Sequence, residues 1–346
     1  IKICTLLLDV WMLTNNLTFY PRWSHTASVL SNGSVLVVGG NEDEFIRITA
    51  ELYDPSSNTW TLVPNMTYPR WGHTASVLSN GSVLVVGGSE DEFIGITAEL
   101  YDPSLNTWTL VANMTYPRIW HTASVLSNGS VLVVGGIGTD FESLFRATAE
   151  LYDPSLNTWT LVPNMVYPRF GHTASVLSNV SVLLVGGHLL DYIPTTAELY
   201  DSSSNIWTVV ANMTYRRWSH TASVLSNGSV LVVGGNEDEF IRITAELYDP
   251  SSNTWTLVPN MTYPRWGHTA SVLSNGSVLV VGGSEDEFIG ITAELYDPSS
   301  NTWTLIANMT YPRFVHTASV LSNDSVLVVS GCEDELCEMT AERIYF

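Results

Sequence analysis

The sequence predicts an all-β fold, a ring of seven four-stranded antiparallel blades around one axis, and three observations predict it. The string His-Thr-Ala-Ser-Val-Leu begins at His25, His73, His121, His172, His220, His268 and His316, so one unit recurs seven times along the 346-residue chain. Inside each unit apolar and polar residues alternate with period two, and no helical period is present. Gly, Pro and Asn interrupt the alternation at fixed offsets. Sheets that bury their faces only against identical neighbours fit a β-propeller, and closure of the ring removes the free edges of a linear array.

Each element of the first unit follows from local chemistry. Strand a is expected over 23–30 and is closed by Ser31-Asn32-Gly33-Ser34. Asn-Gly between two apolar runs predicts a two-residue type I′ hairpin, with positive φ at both central residues. Strand b, Val35-Leu36-Val37-Val38, is apolar throughout and is read as buried on both faces before Gly39-Gly40 ends it. Strand c spans 48–54, Pro55-Ser56-Ser57-Asn58 turns the chain, and strand d spans 59–63. The same reading places blades near 20–67, 68–115, 116–166, 167–214, 215–262 and 263–310, with the seventh formed by 311–346 plus 1–19. The last unit lacks its own strand d. Trp11 stands where Trp60 stands in its unit, so Leu7 to Leu13 is expected to complete that sheet. The whole chain, 1–346, is then one domain.

Arg22-x-x-His25, the Gly39-Gly40 doublet, the Ala50-Glu51-Leu52-Tyr53-Asp54 strand and the Trp60 after Asn-Thr resemble the kelch repeat, in the variant found in galactose-oxidase-like propellers. The resemblance extends over essentially the whole chain, and the last unit departs from it with Ser330-Gly331 in place of the doublet. It implies a seven-bladed kelch propeller. For the enzymes of that type it implies copper held by tyrosines and histidines, one tyrosine being crosslinked to cysteine. No such set of non-repeated Tyr, His and Cys stands out here, so no catalytic residue is assigned and no metal is expected.

Composition narrows the partners. The chain carries 34 acidic against 13 basic residues, a net charge of -21, which disfavours nucleic acid and anionic membrane surfaces. Its apolar runs are a few residues long, far short of the roughly 20 that a spanning helix needs, so no membrane insertion is expected. Gly39-Gly40 is not a phosphate loop, because the single lysine is Lys2. Asn-x-Ser/Thr recurs thirteen times in the a–b turns and d–a connections. With so little lysine and two neighbouring cysteines, this points to an extracellular or secreted protein, a glycoprotein if the sequons are used, and the chain is expected to be monomeric.

Residues present once per blade are read as architecture. The His25 series is expected to bond neighbouring backbone, and the Trp60 series to pack between blades. The Arg22 series could bind an anion at the channel mouth, but its match in number to the Glu51 series favours buried ion pairs.

Recognition needs asymmetry, and the units differ most in the b–c loops. Five loops carry acidic triplets: Glu42-Asp43-Glu44, Glu90-Asp91-Glu92, Glu237-Asp238-Glu239, Glu285-Asp286-Glu287 and Glu333-Asp334-Glu335. They belong to blades 1, 2, 5, 6 and 7, contiguous once the ring closes, and form an acidic crescent. Read as strand ends, the triplets also suit calcium, with at most two carboxylates per loop on one ion. Blades 3 and 4 instead offer Phe141, Leu144, Phe145, His188, Leu189, Leu190 and Tyr192, expected as a contact patch beside the tyrosines of the d–a connections. Cys332 and Cys337 bracket the last triplet and are disulfide candidates. The resulting expectation is a non-enzymatic module binding a protein or glycan through its b–c/d–a face. A galactose-oxidase-like or other carbohydrate-active enzyme on the same face is the alternative. An identical 83-residue block, 22–104 and again 217–299, limits how far blades 1–2 and 5–6 have specialised.

Overall fold

The computed structural model describes residues 10–18, 21–40, 47–89, 91–138, 147–178, 180–188, 194–235, 239–283, 290–333, 336–337 and 339–346. It is an all-β propeller with seven sheets of four antiparallel strands. Blade 1 has strand a at Thr26–Val29, b at Val35–Val38, c at Ala50–Asp54 and d at Thr59–Val63, hydrogen-bonded in that order. Neighbouring a strands approach one another all round the axis, including Thr26–Val29 against Thr317–Val320, so the ring is closed.

The closing sheet is shared between the two ends of the chain. Trp11–Leu13 pairs with Ala341–Ile344, with Trp11 opposite Ile344 and Leu13 opposite Glu342. Trp11 Nε1 donates to the Ala307 carbonyl at 2.7 Å. The expected strand began at Leu7, and residues 7–9 lie outside the described set.

The b strands form the core. Leu36 and Val38 pack with Val83, Val85 and Tyr101 of blade 2, while Val35 and Val37 pack with Leu327 and Val329 of blade 7. Period-two alternation thus splits each b strand between two interfaces, and all four residues of Val35–Val38 are buried. Each such side chain contributes about 1.5–3 kcal/mol. The Trp60 series packs on the same interfaces, and from Trp108 onward the indole N–H reaches the preceding blade: Trp108 donates to the Pro64 carbonyl at 2.8 Å and Trp159 to the Ala112 carbonyl at 2.7 Å.

One local reading is corrected and two are extended. The a–b connection is a three-residue loop: Gly33 N–H donates to the Leu30 carbonyl (2.9 Å) and Leu30 N–H to the Ser34 carbonyl (2.8 Å). Gly33 alone in that turn has positive φ, at 85°, so it is a turn followed by a left-handed glycine and not the two-residue type I′ hairpin. Asn32 Oδ1 accepts the Ser34 N–H at 3.0 Å, which explains the asparagine without requiring positive φ from it. Short helical turns are also present, at Glu92–Gly95 and Glu239–Arg242. Glu92 and Glu239, the last residues of the triplets of blades 2 and 5, open these helical turns. Finally, the histidines reach a threonine hydroxyl of the adjoining blade through Nε2, a partner that the sequence reading does not include.

Candidate functional site

The interfaces converge on the axis through residues present in every blade. Arg70 is fully buried; its Nη1 donates to the Gly87 (2.7 Å) and Thr97 (3.0 Å) carbonyls, and its Nη2 reaches Thr97 Oγ1 (2.8 Å) and Glu99 Oε1 (3.0 Å). Glu99 Oε2 accepts the Thr67 N–H at 2.7 Å and so ties down the d–a connection. All seven blades hold the same ion pair, from Arg22–Glu51 to Arg313–Glu342, at 2.9–3.1 Å. The arginines are structural and do not form an open anion ring.

The glycine doublet belongs to the same seam. Gly40 N–H donates to the Arg70 carbonyl of the next blade at 2.9 Å. A Cβ on Gly39 would sit 2.6 Å from that carbonyl and 2.9 Å from the His73 ring, at a φ of +60°. Imidazole and backbone occupy the space that a side chain would need.

The histidines form a closed circuit. His73 Nε2 lies 2.9 Å from Thr26 Oγ1, and the pattern runs blade to blade until His25 Nε2 meets Thr317 Oγ1 at 2.8 Å. Burial, and secondarily the neighbouring arginine, pushes His25, His121, His220 and His268 down to about 3. His73, His172 and His316 are driven the same way, so the circuit is neutral at ordinary pH.

Above this circuit lies a concavity of about 390 Å³, with His220, His268 and His316 among its lining residues. Trp23, Trp120, Phe170, Trp218, Trp266 and Phe314 line it, and their rings belong to a longer belt that also includes Trp71 and His188. Ring centroids follow one another from Trp23 to Trp71 (5.8 Å), Trp120 (5.4 Å), Phe170 (5.9 Å), His188 (5.2 Å), Trp218 (5.8 Å), Trp266 (5.9 Å) and Phe314 (4.6 Å). Edge-on and tilted contacts predominate, each stabilising by about 0.5–1.5 kcal/mol. Arg47 and Arg242 place their guanidinium carbons 5.5 and 5.3 Å from the Trp71 and Trp266 rings. Beside the aromatics, backbone links run around the axis: Gly72 N–H to the Ser24 carbonyl (3.2 Å), Trp120 N–H to Gly72 (2.9 Å) and onward to Val315 N–H on Gly267 (3.0 Å). Ser24, Trp120, Ser219 and Val315 adopt φ values of 50–54° in this circuit. A left-handed valine or tryptophan costs roughly 1–3 kcal/mol, and strain of this kind collects at functional positions.

Sequence reasoning missed this belt. The signal was Pro-Arg followed by Trp or Phe, as at Pro21-Arg22-Trp23 and Pro312-Arg313-Phe314. Blade 3 is offset by one: Ile119 takes the first position and Trp120 the next. Of the expected contact patch, His188 lies in the belt, bridged through backbone to Phe170. Phe141, Leu144, Phe145, Leu189, Leu190 and Tyr192 lie outside the described residues. So do Glu42, Asp43, Glu44, Glu90, Glu237, Asp238, Glu285, Asp286, Glu287, Asp334 and Glu335.

Of the remaining acidic residues, Asp91 is exposed and its Oδ1 accepts the Phe93 N–H at 2.9 Å, a local turn contact. Glu92 and Glu239 begin the two helical turns, and Glu333 lies in the ribbon opposite Leu336. Phe93 and Phe240, 62% and 59% exposed, stand edge-on to Tyr68 and Tyr215, which brings d–a tyrosines and b–c loops together on one face. Among the described residues, no group of three or more His, Cys, Asp and Glu could hold a metal ion.

The chain belongs to the kelch-repeat family: the Kelch motif matches residues 22–67, 70–115, 121–166, 217–262 and 265–310. No curated protein matches the sequence. Among solved structures, the chain is similar to a fungal alcohol oxidase of the AA5 family in complex with copper. The TM-score is 0.80 and the identity 19%, over 98% of this chain and 76% of that one. It is also similar to YjhT, with a TM-score of 0.64 and 16% identity over 85% of this chain and 99% of the other. Both likenesses are of fold.

Proposed function

We propose that this chain is a non-enzymatic recognition module that binds a protein or glycan ligand over the b–c/d–a face, with the aromatic belt as its central contact. The belt carries the reading. An apolar concavity of about 390 Å³, walled by indoles and floored by neutral imidazoles, suits a ligand with apolar faces and few charges. Such aromatics supply rigid contact area at little entropic cost. The acidic crescent of the b–c loops would steer a basic protein partner toward that face, in a salt-dependent way.

The fold likeness to a copper alcohol oxidase favours a second reading, an enzyme at the same mouth. The residues in place do not fit a copper set of tyrosine, histidine and cysteine. No tyrosine or cysteine is among the described lining residues, and Nε2 of His220, His268 and His316 each meets a threonine hydroxyl of the neighbouring blade. The oxidase reading therefore rests on fold alone. One experiment separates the two: load the purified chain with copper, remove the excess, and assay peroxide release from galactose and simple primary alcohols. Absence of both copper and peroxide, with retention on a glycan or peptide library, fits the binding module. Stoichiometric copper with peroxide release overturns it.

A further inference from the structure

We propose that Cys332 and Cys337 are joined by a disulfide that clasps the b–c ribbon of blade 7 at the seam where the ring closes. Cys332–Glu333 and Leu336–Cys337 form a two-stranded antiparallel ribbon in which Cys332 is the register partner of Cys337. Directly opposed residues of such a pair have Cα atoms about 4.5 or 5.5 Å apart. Both separations fall within the roughly 4.4–6.8 Å that a disulfide spans, so the register is compatible with the bond. No other b–c loop contains a cysteine.

The ribbon is rooted on the contact between the last blade and the first. Gly331 N–H donates to the Arg22 carbonyl at 2.9 Å, and Ser330 N–H to the Thr340 carbonyl at 3.0 Å. Ser330 Oγ accepts the Arg22 N–H at 2.7 Å. Blade 7 departs from the Gly-Gly doublet at this serine, and the departure gives the seam a hydrogen bond that glycine could not make. A crosslink one residue beyond Gly331 holds the ends of Val326–Val329 and Ala341–Ile344 together beside Arg22.

The bond forms by exchange with a small-molecule disulfide such as oxidised glutathione. One cysteine thiolate attacks the external disulfide and expels one thiol, and the second thiolate then attacks the mixed disulfide and expels the other. Two protein thiols are oxidised, the external disulfide is reduced to two thiols, and the two protons pass to them.

The test equilibrates the folded chain in a glutathione redox buffer, quenches it with acid, unfolds it and labels it with N-ethylmaleimide. Maleimide and glutathione adducts are counted together by mass. Of the three cysteines, one adduct is expected on the native chain, at Cys4, and none on Cys4→Ser. Three adducts on the native chain, or two on Cys4→Ser, overturn the pairing. The oxidised chain is expected to melt several degrees above its dithiothreitol-reduced form, a difference that disappears in Cys332→Ser. Equal melts for the two forms of the native chain overturn the role at the seam.

Discussion

His25 and Thr317 are 292 residues apart in sequence, and His25 Nε2 lies 2.8 Å from Thr317 Oγ1. This contact is the last link of a circuit whose other links join adjacent units, so the ring closes on side chains as well as on the shared sheet of Trp11–Leu13 and Ala341–Ile344. The neutrality of that circuit fixes a pH dependence. The folded imidazoles have pKa values depressed to about 3 in four blades, against an ordinary value of 6.5. Between those limits the unfolded chain binds protons that the folded chain does not, so stability is fully present above pH 6.5 and is lost as pH falls toward 3. Each histidine removes up to about 1.4 kcal/mol per pH unit. Urea midpoints at pH 7.5, 6.5, 5.5 and 5.0 should hold steady and then fall, in a range above most carboxylate titration. A midpoint unchanged down to pH 5.0 would contradict the neutral circuit.

The buried ion pairs predict asymmetric losses. Glu99→Ala leaves Arg70 without its carboxylate in a fully buried site and should cost about 3–5 kcal/mol. Replacing Arg70 and Glu99 together by apolar residues should cost much less than the sum of the single losses. A double-mutant cycle in urea reads this, and additive losses would count against the pairing.

Closure predicts that the N-terminal strand is needed for stability. Trp11 is buried among residues of blades 6 and 7, so Trp11→Ala should cost about 3 kcal/mol, and deletion of residues 1–15 should lower the melting temperature further. An unchanged melt after the deletion would refute closure by this strand.

Two glycines with left-handed φ separate crowding from backbone strain. A Cβ on Gly87 would meet the Arg118 carbonyl at 2.6 Å, whereas one on Gly228 meets nothing within 4 Å. Gly228→Ala should cost about 1 kcal/mol from conformation alone, and Gly87→Ala clearly more. Equal losses in denaturant melts would show that the seam yields to the added carbon.

The fold was legible because repetition repeats its evidence: the b strand, the Gly-Gly doublet and the Arg-x-x-His opening recur with little change, and each is answered by a contact to the next blade. The Arg22–Glu51 pair was readable from matched numbers alone. The a–b turn was misread because Asn32 contributes its side chain to Ser34 while Gly33 alone takes the left-handed conformation. The belt was overlooked because its residues also repeat, and in isolation a repeated Trp reads as packing. Only the ring places Trp23, Trp120 and Phe314 around a common mouth, and only the ring brings His188 between Phe170 and Trp218. Loop chemistry such as the acidic triplets lies where sequence gives composition without direction.

The most direct test of the aromatic mouth is binding by Trp120→Ala, a 39%-exposed belt residue whose loss removes ring contacts to Trp71 and Phe170 but no buried core side chain. With a ligand retained from the glycan or peptide library, titration calorimetry on the native chain and the variant should show affinity reduced at least about tenfold, or 1.4 kcal/mol, with the two melts within a few degrees. Unchanged affinity in the variant would contradict the account.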